Sequence, residues 1–329
     1  MGAVSQAFSP KEFKCAIVSD ATNAGATGIG STMLQLDVDS VSYPSLNINQ
    51  VLDVRSGAGR TLKDEDFFQD NVLRVTELSL SGTLHNDAGH LLLLQNICND
   101  VSGDIAVATG FTAASQVYGA AVTNNASSLT VVIQPSDVTH QRGLELFGCV
   151  VTNFTINADA GTEGGRYKWS ATLQTGKVPD MNSTETPTIT AYANNTHSIM
   201  SSASGLKVMA NDVTMNSFTC TVDNPAVFTG VTSTGYEVVS RGAEIAVTVD
   251  TQIKYDNNTK TLMTAYDTQS GHTAGNSFIM TNNDAFGIII DNCIYTNVVY
   301  SEADIMMLDI SLKSVDDGTD ALVTFDVTS

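Results

Sequence analysis

Apolar and polar positions alternate along much of this chain. In "YKWSATLQ" (167–174), Tyr167, Trp169, Ala171 and Leu173 share one phase, and Lys168, Ser170, Thr172 and Gln174 the other. A period of two is the pattern of a β-strand with one buried face. The pattern returns in "MMLDISLK" (306–313), where Met306, Leu308, Ile310 and Leu312 alternate with Met307, Asp309, Ser311 and Lys313. Only Met307 departs from the polar set. Each strand follows a similar heptapeptide, "FGCVVTN" (147–153) and "FGIIIDN" (286–292), which share Phe147/Phe286, Gly148/Gly287 and Asn153/Asn292. The offset is 286 − 147 = 139, and it carries Trp169 and Leu173 onto Leu308 and Leu312 without a phase slip. A slip of one residue would turn every side chain to the wrong face. The Gly-rich "ADAGTEGGR" (158–166) joins the first pair of strands, so the expectation is one β-hairpin built twice.

Upstream, "VTELSLSGTL" (75–84) and "MNSFTCTVDN" (215–224) precede the two heptapeptides at similar distances. Further strand candidates lie at 127–134 and 243–255. The period changes once, in "HNDAGHLLLLQNICND" (85–100): Asp87 suits an N-cap, Leu91–Leu94 run on to Ile97 and Cys98, and Asn99 suits a C-terminal stop. One short helix is expected there. At the corresponding place the second half has "PAVFTGVTSTG" (225–235), whose Pro and Gly predict a loop. The expected fold class is mainly all-β, two tandem β-sandwich domains related by the repeat, with one short helix in the first half. The expected boundaries are an arm and loop region over 1–70, a first β domain over 71–177, a linker over 178–205 and a second β domain over 206–329.

Composition agrees with this outline. The 329 residues suffice for one large or two ordinary cores. Charged residues are only 15% of the chain, well under the usual quarter. Thr, Ser and Asn take their place, residues that suit strand surfaces and turns. The charge present is lopsided, 35 acidic against 15 basic residues for a net −20, which should repel a nucleic-acid backbone. Cys15, Cys98, Cys149, Cys220 and Cys293 are scattered without a CxxC pair and read as buried hydrophobes in a reducing compartment. The start lacks the apolar stretch of a secretion signal, and Gln6 occupies the position where myristoylation needs Ser or Thr. With no membrane-length apolar run either, the expectation is a protein without a membrane anchor, made in the cytoplasm.

Candidate chemistry is sparse. His85 and His90, five apart across a strand-to-helix junction, are the nearest approach to a metal-ligand spacing; an ordinary polar junction explains them better. His140, His197 and His272 have no such partner. "GATGIG" (25–30) lacks the strand and helix of a dinucleotide site, "SGAGRT" (56–61) lacks a phosphate-loop Lys, and no GxSxG occurs. The acidic groups Asp64–Asp66 and Asp316, Asp317 and Asp320 read as solvated loop charge, and the "NNT" sequons as a product of composition. Trp169, the one tryptophan, lies in the inward phase and reads as core. No catalytic residue, metal site or cofactor is expected, and the chain reads as no enzyme.

The hairpin "LFGCVVTNFTINADAGTEGGRYKWSATLQTGK" (146–177), the segments "FTCTVDNPA" (218–226) and "YEVVSRGAEIAVTVDTQIKYD" (236–256), and the helix after "SLSGTL" together resemble the major tail tube proteins of long-tailed bacteriophages. The resemblance covers roughly residues 70–315. It implies a virion protein whose subunits form rings stacked into a tube, with strands lining a channel through which DNA passes without specific binding. It implies partners at the tube ends, in the form of other tail proteins. A chain with two such domains would fill two ring positions, so a trimer of chains is preferred to a hexamer. A capsid decoration or a fibre or adhesin domain is the alternative.

Overall fold

The structure, a computed structural model, describes residues 12–20, 32–44, 49–52, 67–70, 75–99, 105–107, 128–137, 139, 141–193, 197–200, 203–233, 235–236, 238–241, 244–268, 277–282, 286–302, 305–317 and 320–326. The first half opens with β1 (Lys14–Asp20), β2 (Met33–Gln35), β3 (Ser40–Ser42) and the pair β4 (Asn49–Leu52) and β5 (Phe67–Asp70). There follow β6 (Thr76–Thr83), α1 (Ala88–Cys98), β7 (Ile105–Val107), β8 (Ser128–Gln134), β9 (Gly143–Asp159) and β10 (Lys168–Thr175). β11 (Asp180–Ser183) and β12 (Ile189–Thr190) lead to the second half, which starts with β13 (Ala203–Val208), β14 (Asn211–Asp212) and β15 (Met215–Asp223). Next come β16 (Ala226–Thr229), β17 (Val238–Arg241), β18 (Ala246–Lys254) and α2 (Lys260–Asp267). The chain finishes with β19 (Phe278–Asn282), β20 (Gly287–Ile290), β21 (Cys293–Glu302), β22 (Met306–Ser314) and β23 (Val323–Asp326). The fold is mainly all-β, as the alternation predicts.

One sheet layer crosses the whole molecule in the order β3-β6-β10-β9-β15-β18-β22-β21. Behind it lie two smaller sheets: β12-β2-β1-β8-β9-β11 in the first half and β14-β13-β19-β20-β23 in the second, the latter completed by β7 of the first half. The inward phase of the long layer packs against both, and a single cluster of buried apolar side chains runs through the two halves. β9 belongs to both layers of its half. Its first part pairs with β8 and β11, its second with β10 and β15, and Gly148 between them has φ 58°. That left-handed conformation costs a side chain with Cβ about 1–2 kcal/mol, which is why glycine suits the bend. In the second half Asp291 and Asn292 interrupt the same course, and two strands, β20 and β21, replace one.

The registers show that the duplication reaches further than the hairpin. β6 pairs with β10 through Leu78↔Leu173 and Gly82↔Trp169; β18 pairs with β22 through Val249↔Leu312 and Ile253↔Leu308. With β10 matched to β22, β6 is therefore the counterpart of β18 (249 − 78 = 171), and α1 that of α2. Both hairpins carry a bulge at the same place: Thr152 is the extra residue of β9 and Thr296 that of β21. This equates Cys149 with Cys293 (293 − 149 = 144), Asn153 with Asn297 and Gly143 with Gly287. β1, β2 and β3 correspond to β13, β14 and β15, and the pair β4–β5 (Asn49↔Asp70, Leu52↔Phe67) to β16–β17 (Ala226↔Arg241, Thr229↔Val238).

Several particulars differ from the sequence expectation. The expected offset of 139 holds for β10 and β22, but the offset falls along the chain because the first half is longer between its strands. "FGIIIDN" is thus five residues out of step with "FGCVVTN", and "MNSFTCTVDN" matches β3, not "VTELSLSGTL". Residues 1–70, expected outside the repeat, contribute β1–β5, each with a counterpart. α1 is where Asp87 and Asn99 place it: Asp87 Oδ1 accepts from the His90 backbone N–H (3.2 Å), and Asn99 adopts the left-handed conformation. Segment 225–235 is not only loop, since Ala226–Thr229 forms β16. α2 is a second helix that the alternation does not announce. "GATGIG", "SGAGRT", Asp64–Asp66, His140, His272, the sequon at 194–196 and the chain start lie outside the described residues.

Candidate functional site: the polar sheet face and the joint between halves

Odd positions of β6, β15 and β22, of β9 from Asn153 on and of β21 from Asn297 on, and even positions of β3, β10 and β18, point away from the core. They make a face of Ser, Thr, Asn, Gln and a few charges across eight strands. Aligned rows run, for example, Thr83-Lys168-Asn157-Thr219-Asp250-Ser311-Asn297. Neighbours along the rows satisfy one another: Thr155 and Thr221 hydroxyls lie 3.1 Å apart, and Ser311 Oγ donates to Asp250 (2.6 Å). Gln252 Nε2 donates to Asp309 (2.8 Å), and Gln174 Nε2 to Glu77 (3.1 Å). Such cross-strand pairs each contribute a few tenths to about 1 kcal/mol. The outward positions of these strands carry Glu77, Asp159, Asp223, Asp250 and Asp309 against Lys168, Lys254 and Lys313, a balance of 3 − 5 = −2. Lys168 is held by Glu163 (3.0 Å) and Asp39 (3.3 Å), and Lys313 by Glu244 (3.4 Å).

The halves meet edge to edge within this layer. β9 and β15 pair continuously from Asn153↔Asp223 to Asp159↔Ser217, and Asn153 Nδ2 donates to Asp223 Oδ1 (2.7 Å). Three further features close the joint. Tyr167 of the first half is fully buried and lays its ring against Phe218 (centroids 5.4 Å) and Phe286 (6.2 Å) of the second. The β16–β17 pair packs back onto the first half, covering Val150 with Val239 and Phe228. Arg241, at the end of β17, donates to the carbonyls of Val151 (2.7 Å), Asn96 (2.9 Å) and Asn224. Burial pulls the Arg241 guanidinium down to about 10, so it stays charged at neutral pH beside the C-terminal carbonyls of α1, where a cation is favoured. Asn96 Oδ1 accepts from the Val151 backbone N–H (2.7 Å), and Asn224 Nδ2 donates to the Ile97 carbonyl (2.7 Å).

The residues singled out by sequence are structural. Trp169 stacks on Phe154 (6.0 Å) and donates its ring N–H to the Thr83 carbonyl (3.0 Å); Leu173, Leu308 and Leu312 are buried. Phe147 is half-buried and its carbonyl accepts from the Thr175 hydroxyl; Phe286 packs on Phe325. Gly287 opens β20 and the buried Asn292 separates it from β21. Of the set, Asn153 and Phe286 touch the joint. Tyr167, Phe218 and Arg241 escape a sequence reading because their partners are distant in sequence. One available signal is an arginine ending the "VVSR" strand, where alternation allots a position toward the core.

None of the five cysteines forms a disulfide and all are buried, and burial alone or first among its causes pushes the Cys15, Cys220 and Cys293 thiols up to about 12 and Cys149 higher still. Such thiols are poor nucleophiles. His85 bonds Asp37 (2.8 Å) and His90 bonds Asp87 (2.8 Å) beneath Tyr192. Burial works against ionising Asp37 and Asp87, but the histidine hydrogen bonds and charges outweigh it and hold both carboxyls below the usual range. Among the described residues no helix is long and apolar enough to cross a membrane. No protein-family model matches this chain, and no curated protein matches it.

Proposed function

We propose that the chain is a structural subunit that polymerises into stacked rings enclosing a channel for DNA, a tail tube subunit of a long-tailed bacteriophage virion. The observation that carries this reading is the joint between β9 and β15. It joins two equivalent four-stranded units head to tail, so the same joint, repeated between chains, extends the sheet with no change of geometry. A head-to-tail contact that repeats gives a ring when the rotation closes and a filament when it does not. Closure also removes the open edges that invite aggregation. Two units per chain favour a trimer over a hexamer, since three chains supply six units.

The face left outside the core suits a channel wall. Its groups are small, mutually hydrogen-bonded and weakly acidic, so phosphates passing within a Debye length of about 8 Å meet no cluster of cations to hold them. The role is one of shape and charge and requires no catalytic group or cofactor. Negative-stain microscopy of purified protein tests the reading: stacked rings with a central hole are expected. Monomers that persist in every salt condition, or solid fibres without a hole, would favour the capsid-decoration or fibre alternative.

A further inference from the structure

We infer that a second copy of this chain docks its β3 edge on β21 in a defined register, Tyr43 opposite Tyr300, while Met306 fills the groove beneath β3. This deepens the end-to-end joining proposed above and rests on it. Equivalent positions are buried at the internal joint and exposed at the two ends of the long layer. β21 and β3 terminate the long layer, with no further partner among the described strands. Ile156 is buried in the internal joint, and its counterpart Tyr300 is 49% exposed although it lies in the inward phase of β21. Tyr167 is fully buried against Phe218, and its counterpart Met306 is 50% exposed, again in the inward phase. Val150 is covered by the β16–β17 pair, and its counterpart Ile294 is exposed. On the other edge Cys220 is buried and its counterpart Tyr43 is exposed.

A vacancy of matching position exists at the β3 end. A groove of about 510 Å³ opens beside β3, lined among others by Phe13, Leu36, Val41, Tyr43, Ile133 and Tyr192. Val41 is the counterpart of Phe218, the residue on which Tyr167 rests. The groove is therefore placed where a neighbouring Met306 would arrive; its lining is mixed, with Lys14, Gln35, Asp37 and Asp39 beside the apolar residues, and a flexible thioether side chain can settle on the apolar part. Transferring the β9–β15 register onto β21 and β3 sets Val41 opposite Glu302, Ser42 opposite Ser301 and Tyr43 opposite Tyr300. No like charges face each other, and two aromatic rings meet. Neither edge needs a partner of different chemistry, because each completes the other.

Tyr43→Cys and Tyr300→Cys in one chain, treated with a short thiol cross-linker in assembly conditions, test the register. The native cysteines are buried and leave a low background. The expected result is a ladder of linked chains, at least about tenfold stronger than for Val41→Cys with Tyr300→Cys, a pair out of register by two. A mixture of the two single variants should give linked dimers and nothing larger. Separately, Met306→Asp should leave the melting of the monomer unchanged, because the side chain is exposed there, and abolish assembly. Hollow rings without the 43–300 link, or normal assembly of Met306→Asp, would overturn the docking mode and leave the tube reading standing. Linked open chains that never form a hollow ring would keep the docking mode and overturn the tube reading. Monomers under all conditions would overturn both.

Discussion

At the scale of single residues, the internal joint depends on a few polar groups that have no exposed alternative. Arg241 is the main one, since one guanidinium serves carbonyls of α1, β9 and the end of β15. Arg241→Met keeps the volume but orphans those acceptors, and should cost about 3–5 kcal/mol in urea denaturation. It should also broaden the transition as the halves uncouple. A loss under about 1 kcal/mol would show that the joint does not depend on this side chain. Asp37 tests a different balance. Its folded pKa is lowered, so its contribution is fully present above the unfolded value near pH ~4 and is lost as pH falls through the folded value. Asp37→Asn should therefore melt earlier than the parent at pH 7, with the gap closing as pH drops below ~4. A gap that stays constant down to acid pH would mean that the His85 contact contributes through packing alone.

Elements show how much of this fold was legible. Alternation locates β10 and β22 to within a residue, because each buries one face and exposes the other. Cap chemistry at Asp87 and Asn99 locates α1. α2 is harder to read, since only Leu262 of its eight residues is buried and its polar composition resembles a turn. β8 is buried nearly throughout and β1 buries Cys15, Ala16 and Ile17 in succession, so both lose the alternation that marks a half-exposed strand. The joint was illegible for a further reason: β9 and β15 pair residues 58 to 70 apart in sequence, and no local pattern in either strand specifies that register. The bend in β9 carries a prediction at this scale. A Cβ at Gly148 meets Lys177 Cγ at 3.4 Å and Thr175 Oγ1 at 4.0 Å, so substitution there brings backbone strain without a severe clash. Stability should fall in the order Gly, Asn, Ala, Val at 148, by about 1–2 kcal/mol for Ala, because Asn tolerates the left-handed region better. Equal losses for Asn and Val in thermal melts would point to packing instead of strain.

For the whole molecule, the question is how a chain of net charge −20 places so little of it on the broad polar face. The eight strands carry five carboxylates and three ammonium groups there, and most of the face is neutral hydroxyl and amide. A strongly acidic wall would repel itself when copies bring their faces together around a narrow channel, while a basic wall would hold a polyanion. Near-neutral, weakly acidic lining avoids both. Replacing Glu77, Asp250 and Asp309 by Lys changes the balance of this face from −2 to −2 + 6 = +4 per chain. These three accept bonds from Gln174, Ser311 and Gln252 on the polar face and lie away from the joint, so the sheet itself should tolerate the change. Tubes of that variant should retain linear duplex DNA at 50 mM salt and release it by 200 mM, a change of about 10³-fold or more in affinity if six or more phosphates per ring are neutralised. Parent tubes should retain none at either salt. Variant tubes that form normally and still fail to hold DNA would place this face outside the channel, and the reading of the polar face as its lining would fall.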